Sequence, residues 1–332
     1  MQTITLGSTG RITTRLGFGC SSIMGAINKR QSLSLLESAF DAGIRHFDIA
    51  PMYGYGEAES CLGEFLIRHR SAVTVTTKFG IPPGQNRILI RTARALVGPM
   101  VQSFPALKKR LQSVTQARSQ PKVEAPKSPN PIFTAAQARA SLDASLTALK
   151  TERIDLWLLH EVTAMDLAAE SQNDPLLRLL EDAVREGKVG MFGVGSDREA
   201  LPELLSKHPG YCQAAQYEWS VLNPAIPETA YFRIHHRALS EHFHTLVDLL
   251  KTQPERCRHW SDEVGEDLAA PGTLAHLMLK ASYLLNSSSL ILFSSRRSSH
   301  IHANVSTADN AALDAPARRL YELFQREQPH LA

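Results

Sequence analysis

Cysteine is scarce in this chain. Only Cys20, Cys61, Cys212 and Cys257 occur among 332 residues, and they lie far apart without a C-x-x-C pair. The sequence therefore predicts neither a disulfide framework nor a zinc site. No carboxylate or cysteine completes a recognisable ligand spacing around the histidines at 235–244 and 300–302, so we expect no metal. A reduced, cytoplasmic setting fits this cysteine usage best.

Long apolar runs are also missing. The longest, at 154–159 and 290–293, have the length of a strand and are far too short to span a membrane. The first residues lack a basic stretch followed by an apolar one, so we expect no signal peptide. The formal net charge is only +3, which gives no argument for nucleic-acid binding. Hydrophobic residues make up 43% of the chain, which indicates a globular protein with a sizeable core.

Strand-like and helix-like segments alternate along the chain. After a β-hairpin at 2–14, runs of β-branched and apolar residues predict eight strands at 15–19, 45–50, 72–78, 154–160, 189–195, 212–219, 231–239 and 289–294. Apolar residues at helical spacing predict helices at 31–42, 58–69, 134–149, 174–186, 198–206, 243–251, 273–285 and 309–325. This alternation predicts an α/β fold, a (β/α)8 TIM barrel that forms a single domain over residues 1–332.

Ionisable side chains follow three successive predicted strands. Asp48 lies near the end of the second strand, and Tyr53 lies in the loop that follows. Lys78 ends the third strand and His160 ends the fourth. Because the carboxyl ends of parallel strands meet at one face of a barrel, we expect these four side chains to gather there. Each alone has a simpler explanation, such as a strand-end cap or a solvated charge, but the four together indicate a catalytic site.

The same residues carry a family resemblance. The block Asp-x-Ala-x-x-Tyr-Gly at 48–54, the Thr-Lys pair at 77–78 and Leu-Leu-His at 158–160 resemble the catalytic tetrad of the aldo-keto reductases. The likeness covers nearly the whole chain and implies a tetrad of Asp48, Tyr53, Lys78 and His160. We expect Lys78 to lower the pKa of Tyr53, the proton donor, and Asp48 to hold Lys78 charged and in place. His160 is expected to orient the substrate carbonyl.

This resemblance implies an NAD(P)(H)-dependent oxidoreductase that moves a hydride between nicotinamide and an aldehyde, ketone or aldose. The stretch at 46–63 looks most similar to the bacterial aldose and sugar dehydrogenase branch, with a secondary-metabolite ketone as the rival substrate. A non-catalytic barrel of the same fold, which senses a cofactor or binds a partner, is the alternative function.

The glycine-rich segments do not complete a dinucleotide fingerprint. Ser22 stands where the third glycine should follow Gly17 and Gly19, so a Rossmann site is not predicted. The resemblance implies instead an extended dinucleotide across the barrel mouth, with its adenosine phosphate end in the loop at 292–304. The residues assigned to that end are Ser294, Ser295, Arg296, His300 and Asn304. The positive charge there favours NADP(H) over NAD(H).

Other cofactor positions depart from the family pattern. Gln216 matches the residue that binds the nicotinamide carboxamide. Gly195 and Ser196 stand where the family usually has Ser-Asn, and His236 replaces the aromatic that stacks on nicotinamide. Arg237, the next residue, is expected to reach the pyrophosphate. These departures keep the non-catalytic alternative open.

A basic segment at 81–131 follows Lys78 directly. Its first part has apolar residues at helical spacing, and its end is rich in proline and lysine. A segment in this place must leave from the active-site face of the barrel. It is expected either to form a lid that selects an anionic or bulky substrate, to contact a membrane or carrier protein, or to be a solvated loop.

Overall fold

Eight parallel strands close into a barrel, in which the strands pair in chain order and the last lies beside the first. The computed structural model describes residues 1–82, 133–167, 174–224 and 231–327. The barrel strands are β3 (Leu16–Gly19), β4 (His46–Asp48), β5 (Thr74–Phe79), β6 (Ile154–His160), β7 (Val189–Gly195), β8 (Ala214–Glu218), β9 (Phe232–His236) and β10 (Ser289–Phe293). The predicted (β/α)8 barrel is thus confirmed. The predicted basic segment lies outside the described residues from residue 83 onward and stays a prediction.

A short antiparallel hairpin of β1 (Thr3–Thr5) and β2 (Ile12–Thr14) precedes the barrel, as predicted. Leu6, from the hairpin connection, is buried among the side chains that fill the barrel interior, such as Leu156 and Leu290. Gly7 follows with a φ of 47°, and a Cβ on it would lie 2.4 Å from Met191 Cε, so a larger residue here would be strained. The hairpin therefore closes the N-terminal end of the barrel, and the C-terminal mouth is the place for a site.

Helices surround the barrel. They are α1 (Lys29–Asp41), α2 (Ala58–His69), α3 (Ala135–Leu149), α4 (Pro175–Arg185), α5 (Leu201–Lys207), α6 (Phe243–Thr252), α7 (Pro254–Val264), α8 (Pro271–Leu285), α9 (Ser298–Asp309) and α10 (Asp314–Glu327). Local sequence explains several of their starts. Asn28 and Gln31 form a capping box at the start of α1, and the Thr134 hydroxyl caps α3. The Asp174 side chain caps α4, which has Pro175 in its first turn. No helix among the described residues has the length and apolar character needed to cross a membrane.

Three of these helices differ from the sequence-based expectation. Apolar spacing did not predict α7, which buries only the narrow face formed by Cys257, Trp260 and Val264. The stretch at 292–304 was expected to be a loop, which is wrong from Ser298 onward, because α9 begins there. The final helix consequently begins at Asp314 rather than at residue 309.

Side chains on each barrel strand alternate between the interior and the outer surface. Leu158, Ala214 and Ile234 belong to the interior apolar cluster. Two residues further along the same strands, the next inward positions are His160, Gln216 and His236. The period of two therefore points polar side chains of three strands into the barrel mouth.

A buried carboxylate ties neighbouring strands together on the outer surface of the barrel. Asp155 on β6 has no exposed surface and accepts a hydrogen bond of 2.8 Å from the backbone N–H of Val75 on β5. Its second partner is Arg70, whose Nη2 lies 3.0 Å from the same carboxylate oxygen. Arg70 also donates to the carbonyl oxygens of Val73 and Arg153, so this ion pair is hydrogen-bonded on both sides.

Candidate active site

An ion pair lies inside the barrel mouth. Lys78 Nζ is 2.5 Å from Asp48 Oδ1 and 3.1 Å from the carbonyl oxygen of Ile49, to which it also donates. Both residues are almost fully buried, at 2% and 4% exposed for Lys78 and Asp48. Burial alone lowers the pKa of Lys78, but Asp48 and Tyr53 together raise it above its ordinary value. The ammonium is therefore held charged inside the protein.

Gln216 from β8 contacts the same carboxylate. Its Nε2 donates a hydrogen bond of 2.7 Å to Asp48 Oδ2, so both oxygens of Asp48 have a partner. The family resemblance assigned Gln216 to the nicotinamide carboxamide, and nothing in the sequence spacing indicated this contact with Asp48. It arises because β4 and β8 face each other across the closed barrel.

Tyr53 lies in a tight turn just beyond β4. Gly54 follows with a φ of 59°, and a Cβ on Gly54 would lie 2.6 Å from the carbonyl oxygen of Ile23, so the turn requires glycine. The Tyr53 ring is half-buried, and its centroid is 5.5 Å from Lys78 Nζ. The turn therefore brings the phenol next to the ammonium.

The pKa of Tyr53 reflects opposing influences. Lys78 is the largest single influence and lowers the pKa, as the sequence predicted. Burial, the Asp48 carboxylate and nearby Cys20 and Glu161 raise it, and the net direction is upward from the ordinary value. The phenol is therefore protonated at neutral pH.

His160 lies beside Tyr53 at the end of β6. The two rings are 6.2 Å apart between centroids and meet edge to face at 84°. Burial, followed by the charge of Lys78 and by His236, lowers the pKa of His160 to about 3. The imidazole is therefore neutral at physiological pH and carries one N–H donor. Its Nδ1 is buried and has no partner among the described residues.

The positions assigned to nicotinamide on β7 and β9 are also at the mouth. Ser196 is buried, but its hydroxyl already donates to the Val162 carbonyl oxygen at 2.7 Å. Burial, followed by Arg237 and Lys78, lowers the pKa of His236 to about 3, so this ring is neutral as well. Arg237 is paired with Glu218 at 3.2 Å. Ser196 and Arg237 therefore already have protein partners.

The residues assigned to the adenosine phosphate end lie at the end of β10 and on α9. Ser294 Oγ donates to the Gly19 carbonyl oxygen at 2.8 Å, which joins this segment to the end of β3. Arg296 and His300 are exposed, and Asn304 lies on α9 one helical turn beyond His300. The residues assigned to the cofactor therefore form two groups. One lies at the barrel mouth, and the other lies along the β10–α9 connection.

Sequence reasoning did not single out Cys20. It follows β3, has no exposed surface, and its backbone N–H donates to the Asp48 carbonyl oxygen at 2.8 Å. Burial raises the pKa of its thiol well above the ordinary value, so it is protonated. The strand-end rule that identified Asp48 and Lys78 also applies to Cys20, and its position one residue after a barrel strand is the signal that could have found it.

Sequence comparisons match this chain to a known family and to named relatives. A sequence model of the Aldo/keto reductase family matches residues 15–237. Probable aldo-keto reductase 1 of Glycine max is 27% identical over 237 residues, which cover 69% of this chain and 54% of that protein. D-threo-aldose 1-dehydrogenase of Pseudomonas sp is 30% identical over 230 residues, which cover 65% of this chain and 62% of that protein. The chain therefore spans less than two thirds of the length of either relative.

A solved structure shares the whole fold. An aldo-keto reductase from Klebsiella pneumoniae in complex with NADPH superposes with a TM-score of 0.61 at 18% sequence identity. The superposition covers 97% of this chain and 96% of that chain. The barrel, its hairpin and its surrounding helices are therefore those of a known architecture.

Proposed function

The chain belongs to the aldo/keto reductase family, and from that premise we propose that it transfers a hydride between NADP(H) and a carbonyl or alcohol substrate. Tyr53 is the proton donor in reduction and the proton acceptor in oxidation. One observation carries the proposal: the ammonium of Lys78, paired with Asp48, lies 5.5 Å from the ring centroid of Tyr53.

Each side chain has a defined part in this reaction. Reduction of a carbonyl places negative charge on its oxygen, and Tyr53 donates the phenol proton there. Lys78 stabilises the phenolate that is left, and Asp48 holds the ammonium in place. His160, neutral with a pKa of about 3, donates an N–H to the same oxygen and orients it. The nicotinamide cofactor, when bound, supplies the hydride in reduction and takes it up in oxidation.

The connection from β10 to α9 fits the phosphates of a dinucleotide. No described side chain caps the first turn of α9, so the backbone N–H groups of Ser298 and Ser299 can bind an anion. Arg296 and Arg297 are exposed directly before the helix and bring the positive charge that a 2′-phosphate requires. The NADPH complex of the Klebsiella relative supports the same preference. NAD(H) is the second choice.

The substrate belongs to the small aldehydes, ketones and aldoses. The relative that is a D-threo-aldose 1-dehydrogenase supports a sugar substrate. A panel of aldoses, simple aldehydes and ketones distinguishes these classes by kcat/KM with NADPH, and by NADP+ reduction in the opposite direction.

Tyr53→Phe is the direct test, with Tyr55→Phe as its matched control. Tyr55 is two residues away and is 43% exposed. We expect Tyr53→Phe to lower kcat at least about 100-fold, the usual contribution of a positioned acid, while the affinity for NADPH is kept. Tyr55→Phe should keep both. Substantial turnover by Tyr53→Phe would show that Tyr53 is not the proton donor.

A cofactor-sensing barrel without turnover is the second candidate. The upward shift in the pKa of Tyr53 favours it, because such a phenol is a weaker acid at neutral pH. Arg237, which was assigned to the pyrophosphate, is already paired with Glu218, and this also favours a barrel without turnover. Fluorescence titration with NADPH and NADH separates the candidates: tight NADPH binding without NADPH oxidation across the whole panel is the result that only the second candidate predicts.

A further inference from the structure

The two oxygens of Asp48 bind groups from opposite sides of the barrel. Oδ1 accepts from Lys78 on β5 at 2.5 Å, and Oδ2 accepts from Gln216 on β8 at 2.7 Å. Lys78 has a second anchor in the Ile49 carbonyl oxygen at 3.1 Å, whereas among the described residues Gln216 is the only side chain that contacts Oδ2. The orientation of the carboxylate plane therefore depends on Gln216.

The orientation of the Gln216 amide is determined by chemistry. An ionised carboxylate only accepts hydrogen bonds, so the amide nitrogen must face Asp48 and the oxygen must face away. Gln216 Oε1 lies next to Gly195, where an added Cβ would be 3.7 Å from it. No described residue donates to Oε1. The amide nitrogen of Gln216 therefore binds Asp48, and the amide oxygen remains available on the side of Gly195, in the region assigned to nicotinamide.

We propose that Gln216 is a positioning residue for proton transfer, which acts on Tyr53 through Asp48 and Lys78. The inference rests on the proposed function, and it adds a fifth residue to the chain of contacts around the proton donor. Its amide N–H disperses charge from Asp48 and prevents the carboxylate from rotating. The Asp48–Lys78 contact, and with it the distance from the ammonium to the phenol, then stays constant.

The electrostatic balance at Tyr53 shows why the orientation matters. Lys78 lowers the pKa of Tyr53 and Asp48 raises it, so the outcome depends on how the pair is placed. The other titratable groups that interact with Lys78 come from several elements. They are Cys20, His46, Glu59, His160 and His236. None of them contacts Asp48 Oδ2 within the described residues, so none replaces the bond from Gln216.

Two variants separate this role from simpler ones. Gln216→Met keeps the length of the side chain and removes the donor. Gln216→Glu keeps the shape, and its carboxyl donates to Asp48 only while it is protonated. Gln325→Met is the control, because the Gln325 amide donates at 3.0 Å to the Val221 carbonyl oxygen, outside the tetrad.

The measurement is the pH profile of kcat at saturating NADPH, with the best carbonyl of the panel. We expect Gln216→Met to lower kcat about 10-fold. We also expect the pH at which the ionisation of Tyr53 changes kcat to rise by about one unit, because the less shielded carboxylate disfavours the phenolate. Gln216→Glu should regain activity as the pH falls and its carboxyl gains a proton. Gln325→Met should match the unmodified protein. An unchanged profile in Gln216→Met, with only the KM for NADPH raised, would overturn the proposal and leave Gln216 as a carboxamide contact.

A second readout does not depend on turnover. Alkaline titration of phenolate absorbance, taken as the difference between the unmodified protein and Tyr53→Phe, isolates the Tyr53 step without any cofactor. In the Gln216→Met background Tyr53 should form its phenolate at higher pH. If the pH of this transition does not change, the proposal is contradicted. If the protein turns over no substrate but the Tyr53 titration moves, the proposed function fails, while the effect of Gln216 on the pKa of Tyr53 is still shown.

Discussion

Lys78 Nζ lies 2.5 Å from Asp48 Oδ1, and both side chains are excluded from solvent. A buried charge is tolerated only beside its partner, because its hydration is lost on folding. While one charge of the pair is present, the other is therefore needed for stability as well as for the proposed chemistry, and the two requirements can be separated by mutation.

Removing the ammonium alone should damage both properties. Lys78→Met leaves Asp48 buried without its counter-charge, and we expect it to lower the free energy of unfolding by about 3–5 kcal/mol. The double variant Lys78→Met/Asp48→Asn should recover much of that stability and none of the turnover. Urea unfolding and NADPH oxidation measure the two effects. A double variant as unstable as Lys78→Met would show that packing, rather than charge, is the cause.

Arg296 should decide between the two dinucleotides. It is exposed just before α9 and can approach a 2′-phosphate, which only NADP(H) carries. We expect Arg296→Ala to raise the Kd for NADPH about 10-fold and to leave the Kd for NADH unchanged, with a weaker dependence on salt. Fluorescence titration of both cofactors is the measurement, and Arg318→Ala, an exposed arginine on α10, is the control. Equal losses for both cofactors would place Arg296 at the pyrophosphate instead.

His46 should make the fold sensitive to acid. It is fully buried in the barrel, with Nδ1 2.9 Å from Thr74 Oγ1 and Nε2 3.1 Å from Thr76 Oγ1. Burial, then Lys78, lowers its pKa from 6.5 to about 3. Between these pH values the unfolded chain binds the proton and the folded chain does not, so stability rises with pH and is lost as the pH falls.

The size of that effect can be tested with one variant. Each such histidine contributes a slope of at most about 1.4 kcal/mol per pH unit. We expect His46→Gln to be less stable near neutral pH but to lose less stability on acidification from pH 6.5 toward 3. Denaturant unfolding at several pH values checks this, and His259→Gln, at an exposed site on α7, should keep the original slope. If stability falls with pH as steeply in His46→Gln as in the unmodified protein, the acid sensitivity comes from other groups.

The Asp155 contacts should matter for stability and not for turnover. Asp155→Ala leaves the backbone N–H of Val75 and the guanidinium of Arg70 without their common acceptor. We expect a loss of about 3–5 kcal/mol in the free energy of unfolding and an unchanged kcat. Asp182→Ala, which removes an exposed pair with Arg185 on α4, should cost less than about 1 kcal/mol. A fall in kcat for Asp155→Ala would show that strain in β5 reaches Lys78.

Local patterns predicted most of the fold. The bounds of α2, β6 and β7 agree with the sequence-based ranges. The narrow apolar face of α7 left a periodic signal too weak to detect. α9 was missed because the stretch was assigned as a loop by family resemblance, and the helix there buries few side chains.

The sequence by itself determined which ionisable groups end the barrel strands, because alternation along each strand and the parallel order of the strands are local and topological properties. Asp48, Lys78 and His160 could therefore be expected at one mouth. Only the tertiary structure decided how these groups act on one another. Barrel closure brings Gln216 to Asp48 across 168 positions of sequence. At Tyr53 the lowering of the pKa by Lys78 is outweighed by burial and nearby acidic groups, whereas burial is the main cause of the lowered pKa of His160. Desolvation and hydrogen-bond geometry depend on distances in the folded chain, which no residue pattern encodes.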